Sequence, residues 1–235
     1  MEALQLKTNS IKAGEPASST SKRLLLPHMP LQFDSAQSFE RIDVEQFIAD
    51  RFAFHYQAEI NHFLPYLLST RNNGKFTAAM GFQPASVSPL FLEQYLSSTI
   101  EAEISSITGK PIQRDKVVEL GNLTSVHRGT SQILFVLIVA ILHKAGFEWA
   151  VFTATKQVQS LLSRLDLSTT NICEANPVLL RNGAQTWGSY YDDRPNVIFG
   201  NLADAISLLK QHPVTAFMLE NYQSTITDIA HKITK

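Results

Sequence analysis

The stretch Val117-Val118-Glu119-Leu120-Gly121-Asn122-Leu123 carries the residue types with the most chemistry to offer. Glu119 supplies a carboxylate that can take a proton from an amine, directly or through water, and Asn122 supplies an amide that can position a carbonyl. Alternation along a strand points the two side chains to opposite faces, so they meet in one cleft only if a bulge intervenes, and Gly121 is the place for one. A strand-edge carboxylate ion-paired with Arg114 is the competing reading of Glu119. Downstream, Trp187-Gly188-Ser189-Tyr190-Tyr191 gathers phenols that either hand a proton to a leaving thiolate or pack against one another.

After the Glu119 stretch, Ser125 to Ser131 forms a polar link containing Arg128 and Gly129 and leads into an apolar run. A strand that delivers a glycine-containing loop to a helix start leaves backbone N–H groups unpaired beside the positive end of the helix dipole, a setting that suits phosphate. Arg128 adds positive charge there, and Thr130 or Ser131 alternatively caps the helix. Other machinery is missing. No G-x-x-x-x-G-K-[ST], G-x-G-x-x-G or G-x-S-x-G occurs. His55 and His62 share a helix face without partners at ligand spacing, which favours packing over a metal site. Cys173 is the single cysteine, so an intrachain disulfide and a multi-cysteine metal site are excluded and a reducing compartment is allowed.

The elements that must hold these residues follow from periodicity. Apolar residues from Val44 to Leu64 recur at three- and four-residue steps, predicting one long helix that starts at an Asp43/Gln46 capping box and stops at Pro65. Asn73-Gly74 predicts a hairpin turn between Tyr66–Ser69 and Phe76–Phe82. Leu90–Ile104 reads as a second helix, Val117–Leu123 as a strand, Ile133–Leu142 as a buried core helix, Trp149–Ala154 as a strand, Lys156–Leu165 as a short helix and Asn196–Gly200 as a last strand. A hairpin followed by alternating strands and helices predicts an α/β or α+β fold with a mixed sheet.

The 235 residues suffice for one domain of ordinary size with a tail. With 44% hydrophobic residues, 17% charged residues and a net charge of −1, the chain can build a core and has no global field to draw it to nucleic acid or anionic lipid. Residues 1–23 lack the apolar run of a secretory signal, and Ile133–Leu142 would rise only about 15 Å as a helix, roughly half a bilayer's hydrocarbon thickness. A cytoplasmic protein without a transmembrane segment is expected, its residues 1–38 a mobile polar tail.

The ordered set Ala78-Ala79-Met80-Gly81-Phe82, Leu90 to Leu96 with Ile100-Glu101, Val118 to Leu123, Trp149 with Phe152 to Thr155, Arg164-Leu165 and Trp187 to Tyr191 resembles the thermostable hemolysin family. That family in turn is similar to the GNAT acyltransferase fold and, more distantly, to acyl-homoserine-lactone synthases. The resemblance implies a three-layer fold in residues 39–205, with helices flanking a splayed mixed sheet, followed by a helical extension over residues 206–235. It implies an acyl thioester, from acyl-CoA or an acyl-carrier protein and not a permanently bound cofactor, lying where the Val117 strand parts from the Trp149 strand. Backbone at Leu120, Gly121, Leu123 and Thr153 would pair with pantetheine amides, while Arg128, Gly129 and Thr130 would hold phosphate. Glu119 would act as base, Asn122 would polarise the carbonyl, Tyr190 or Tyr191 would act as acid, and Glu93, Glu101, Arg114 and Trp187 would receive a small amine-bearing acceptor. The family name also implies two alternatives, a membrane-damaging hemolysin and a non-catalytic binding subunit on the same fold.

Overall fold

The computed structural model describes residues 29–181 and 183–234, so residues 1–28 of the expected tail lie outside the described residues. Within the remainder of that expected tail, Leu31–Asp34 instead forms an edge strand, β1, antiparallel to β2 (Tyr66–Asn72). β2 and β3 (Lys75–Pro84) make the expected hairpin, with Asn73 and Gly74 at φ 49° and 76° supplying the left-handed pair that a two-residue turn requires. β4 (Val117–Ser125) pairs antiparallel with β3 and parallel with β5 (Trp149–Ala154). β6 (Thr170–Glu174), which the periodicity did not predict, and β7 (Asn196–Asn201) complete a seven-stranded mixed sheet of order β1-β2-β3-β4-β5-β7-β6.

Helices cover both faces: α1 (Arg41–Tyr56) and α2 (Ile100–Thr108) on one, α3 (Arg128–Lys144) on the other. Alternation decides which residues each layer receives. Met80, Phe82, Val118 and Leu120 join the core on the α3 side, and Leu67, Ala79, Val117 and Val151 pack on the opposite side. α4 (Lys156–Arg164) starts behind Thr155, whose hydroxyl accepts from the Val158 N–H. The region expected as a helical extension contains α5 (Leu202–Gln211), α6 (Pro213–Asn221) and α7 (Gln223–Ile233). Their Leu202, Ile206, Met218 and Ile229 share one core with α3, so every residue from Leu134 to Leu142 is buried. A helix enclosed by a sheet on one side and three helices on the other is apolar all round, as its sequence is.

Two predicted helices are shorter than their periodicity suggested. α1 starts at Arg41, two residues before the proposed capping box, and stops at Tyr56 because Gln57 adopts φ 55° and turns its N–H back to the Ala53 carbonyl. Ala58 and Leu64, which continued the helical spacing, are buried from an irregular segment instead. The Leu90–Ile104 helix is broken into a 3₁₀ turn at Phe91–Tyr95 and α2. Glu93 explains the break: its carboxylate accepts from the Leu90 N–H at 2.8 Å and the Ile100 N–H at 3.0 Å, capping the starts of both pieces. α3 also begins earlier than expected, directly after His127, so neither Thr130 nor Ser131 is its cap; the Thr130 hydroxyl donates to the His127 carbonyl at 2.6 Å.

Candidate active site

β4 and β5 are paired only from Val117↔Trp149 to Leu120↔Phe152. Beyond that pair β4 continues to Ser125 and β5 to Ala154 with no rung between them, so the sheet forks. A bulge widens the fork: β4 runs from Gly121 to Thr124 while β3 runs only from Gly81 to Ala79, leaving one extra residue on β4. The extra residue is accommodated just past Gly121, at Asn122, whose φ of 52° is left-handed. Glu119 and Asn122 therefore line the same cavity, which alternation alone would forbid.

That cavity, of about 100 Å³, threads the fork between wider hollows on either side. The structure brings Glu119, Leu120, Gly121, Asn122, Leu123, Thr153, Trp187, Tyr190 and Tyr191 to its wall, together with Phe52, Tyr56, Leu64, Phe91 and Tyr95, which the sequence did not single out. Gly81 and Gly121 are small for a reason. A Cβ on Gly121 would stand 2.9 Å from Leu64 Cδ1, and one on Gly81 would stand 2.8 Å from Asn122 Oδ1 and 3.0 Å from Leu64 Cβ. Asn122 holds the Leu64 segment in place, accepting from the Leu64 N–H at 2.9 Å and donating to the His62 carbonyl at 3.3 Å.

Glu119 is 3% exposed and makes no pair with Arg114, so the strand-edge ion-pair reading is corrected. Its two carboxylate oxygens accept from the Phe91 N–H at 2.7 Å and the Leu92 N–H at 3.0 Å, fixing the 3₁₀ turn that presents Phe91 and Tyr95 to the cavity. Burial opposes its charge more strongly than these two donors support it, and the carboxyl is pushed up to about 8. Such a group is a strong base for the fraction of time it is ionised.

The aromatic cluster is shaped by one backbone crossing. Gly188 sits at φ 52° where a Cβ would lie 1.9 Å from the Tyr56 carbonyl oxygen, which lets the Ser189 N–H reach that oxygen at 2.8 Å. Trp187, Tyr190 and Tyr191 then pack against one another, with Tyr190 also on Phe52 and Tyr56. The Tyr190 hydroxyl donates to the Thr153 carbonyl at 3.5 Å, just past the last β4–β5 rung. Tyr191 and Tyr95 share a hydrogen bond of 2.5 Å between their hydroxyls. Burial pushes Tyr191 up to about 12 and raises Tyr95 and Tyr190 further, so all three phenols stay protonated near neutrality and remain donors.

The hollow on one side is a vestibule of about 1230 Å³ that contains Arg114, Glu93 and Glu101 and meets the central cavity at His62, Phe91 and Trp187. All three guanidinium nitrogens of Arg114 donate within the protein, in four hydrogen bonds. Nη1 meets Glu93 at 2.6 Å and Glu101 at 2.7 Å, Nη2 meets Glu93 at 2.9 Å, and Nε donates to the Ala85 carbonyl at 2.8 Å. Burial works against the charges of Glu93 and Glu101, yet the guanidinium and backbone N–H groups prevail and hold both carboxyls below their ordinary range. Three of the four residues expected to receive the acceptor are thus brought together as an internally paired cluster, and the fourth, Trp187, stands where the vestibule meets the central cavity.

The hollow on the other side, a basin of about 380 Å³, shares Phe52, Tyr56, Leu123, Thr155 and Val158 with the central cavity. Its charged and titratable lining consists of Arg51, His55, His127 and Arg164, along with the phenol of Tyr56. Ser131 and Gln132 border it, whereas Gly129 and Thr130 of the expected phosphate turn do not, and the Arg128 side chain lies outside the described residues.

A sequence model described as thermostable hemolysin matches residues 35–206, and no curated protein matches. Among solved structures, the CoA-dependent acyl-homoserine lactone synthase BjaI with SAM and isopentyl-CoA is 11% identical, covering 78% of this chain and 89% of its own, with a TM-score of 0.51. FeeM, an N-acyl amino acid synthase from uncultured soil microbes, is 10% identical over 76% of this chain and 98% of its own, with a TM-score of 0.53. The AHL synthase LasI is 10% identical over 74% and 90%, with a TM-score of 0.51. These likenesses establish the expected GNAT-like α/β architecture. No helix among the described residues is long and apolar enough to cross a membrane.

Proposed function

We infer that this chain, which belongs to the thermostable hemolysin family, is an acyltransferase that moves an acyl group from a thioester, acyl-CoA or an acyl-carrier protein, to a small amine-bearing acceptor. The observation that carries this reading is the fork beyond Leu120↔Phe152, with a buried carboxylate and protonated phenols at a passage joining two hollows. One hollow admits the donor and the other the acceptor, and the narrow passage is where amine and thioester meet. Holding them there in reacting geometry is the larger part of the catalysis.

In this reading the amine nitrogen bonds to the thioester carbonyl carbon, and the surplus amine proton goes to Glu119, directly or through water. The C–S bond then breaks, and Tyr190 or Tyr191 protonates the departing thiolate and is reprotonated from solvent. Asn122 contributes by fixing the backbone of residues 62–64 over the passage. Because Glu119 must be ionised to accept a proton, transfer should accelerate as pH rises toward about 8.

The test incubates the full chain with acyl-CoA thioesters and acyl-carrier proteins against a panel of small amines, following acceptor-dependent thiol release and the mass of the N-acyl product. Glu119→Gln should lower the rate by about 100-fold or more and abolish the rise with pH. Absence of acceptor-dependent thiol release from every donor, by folded protein, would overturn the acyltransferase reading, and a liposome dye-release assay then asks whether the protein damages membranes directly.

A further inference from the structure

We propose that Arg51 of α1 grips the phosphate of a phosphopantetheine thiol donor in the basin beside the fork. The inference rests on the acyl-thioester reading above and adds to it the residue that reads the donor's anionic end.

Arg51 is held by two uncharged acceptors. Its Nη2 lies 3.0 Å from the Ser125 carbonyl, at the end of β4, and 2.6 Å from His55 Nε2, one helical turn along α1. A guanidinium nitrogen only donates, so His55 Nε2 accepts and its ring is neutral with the proton on Nδ1. Burial and the adjacent Arg51 both lower the His55 pKa, in keeping with that state. The Arg51 Nε is buried without a partner, and the guanidinium lies 5.2 Å from the Phe54 ring centroid. Nothing among the described residues of this shell cancels the charge.

The rest of the basin does not cancel it either. Its described lining contains Arg51 and Arg164 and no aspartate or glutamate, and among the described residues neither arginine forms a salt bridge. Two arginines facing one hollow without a carboxylate raise the local potential, and low-dielectric walls focus it. A phosphate is an anion that an arginine fork matches with two parallel hydrogen bonds. The position selects which phosphate. The basin opens into the apolar fork through Phe52, Leu123 and Val158, so its ligand is anionic at one end and extends a thin, less polar arm toward Glu119. A phosphopantetheine arm with its thioester at the far end has that form. The phosphate belongs to CoA or to a carrier protein, and both present the same group.

The test measures equilibrium binding of CoA, 4′-phosphopantetheine and pantetheine to the full chain and to its Arg51→Gln and Arg51→Lys variants, with melting curves confirming that each is folded. The expected result is phosphopantetheine bound at least about tenfold more tightly than pantetheine, with this preference lost in Arg51→Gln and partly kept in Arg51→Lys. CoA binding more tightly than phosphopantetheine would identify the nucleotide as part of the ligand, whereas equal binding would point to a carrier-borne arm. Equal affinity for pantetheine and phosphopantetheine, or a preference unchanged in Arg51→Gln, overturns the proposal. If thioesters are turned over without phosphate preference, the grip fails and the acyltransferase reading stands. If phosphate preference is found without turnover, the reverse holds.

Discussion

Two arginines stand on opposite sides of the fork, and their surroundings are opposed. Arg114 is enclosed by Glu93, Glu101 and a backbone carbonyl, with side-chain exposures of 28%, 14% and 24% for the three charged partners. Arg51 meets a carbonyl and a neutral imidazole and has no carboxylate partner among the described residues. The first arrangement spends its charge inside the fold; the second leaves it for a ligand. The Arg114 cluster joins the chain around residue 90, the start of α2 and the entry to β4, so its energy is structural. A polar cluster in a cavity wall is not thereby a binding group: what counts is whether its charges are already paired within the fold.

The largest effect expected from breaking this contrast is on stability at Arg114. Arg114→Met strands two partly buried carboxylates and removes the bond to Ala85, and should cost about 2–3 kcal/mol, or roughly 5–10 °C in melting temperature. Adding Glu93→Gln should recover less than half, because Gln cannot accept from both Leu90 and Ile100 as the carboxylate does. A double-mutant cycle by denaturant unfolding measures the coupling. A loss under about 0.5 kcal/mol for Arg114→Met would show that the cluster is not a clamp.

A smaller effect sharpens the same contrast through pH. The Glu93 and Glu101 carboxyls are held below their ordinary value of 4.5 in the folded protein. The unfolded chain therefore takes up their protons first as pH falls, and the stabilisation, full above the unfolded value, is lost as pH drops below about 4.5 through the folded values. Melting temperatures of wild type and Arg114→Met should accordingly converge between about pH 5 and pH 3. Parallel curves across that range would detach the acid sensitivity from this cluster.

Why the sequence drew attention to one arginine and passed over the other is a matter of distance along the chain. The Glu119 stretch, the Asn73-Gly74 turn and the apolar run Ile133–Leu142 within α3 are local signals, in which spacing or turn chemistry forces the outcome, and each lies in the kind of element its sequence predicts. The expected bulge lies one residue on, at Asn122, since Asn tolerates the left-handed conformation and its side chain is needed by Leu64. The ends of α1 and the break before α2 depend on groups far away: Gln57 turns where the chain must cross Thr186, and Glu93 caps two segments under the guidance of Arg114. Periodicity is blind to both. Family resemblance groups Glu93, Glu101 and Arg114, but their mutual pairing becomes apparent only from distances. Arg51 and His55 carry an i, i+4 signal that was open to inspection. Its meaning requires Ser125, 74 residues away, and an absence of acids contributed by α1, β4, α3 and α4 together.

The smallest effect expected is therefore on the stability of Arg51 variants, and it is the counterpart of the first. Arg51→Gln removes a hydrogen bond to the Ser125 carbonyl and a partner of His55, a loss of about 1 kcal/mol at most for a half-exposed group. It also removes a cation for which no carboxylate compensates, which offsets part of that loss. The melting temperature should change by no more than about 3 °C, and the acid limb should keep the wild-type shape, because Arg51 forms no salt bridge with a carboxylate among the described residues. A drop comparable to that of Arg114→Met would mean that Arg51 serves the fold after all. It would also mean that a lost phosphate preference in this variant has to be read against the milder Arg51→Lys, which keeps the cation at the same helix position while giving up the fork that a phosphate fits.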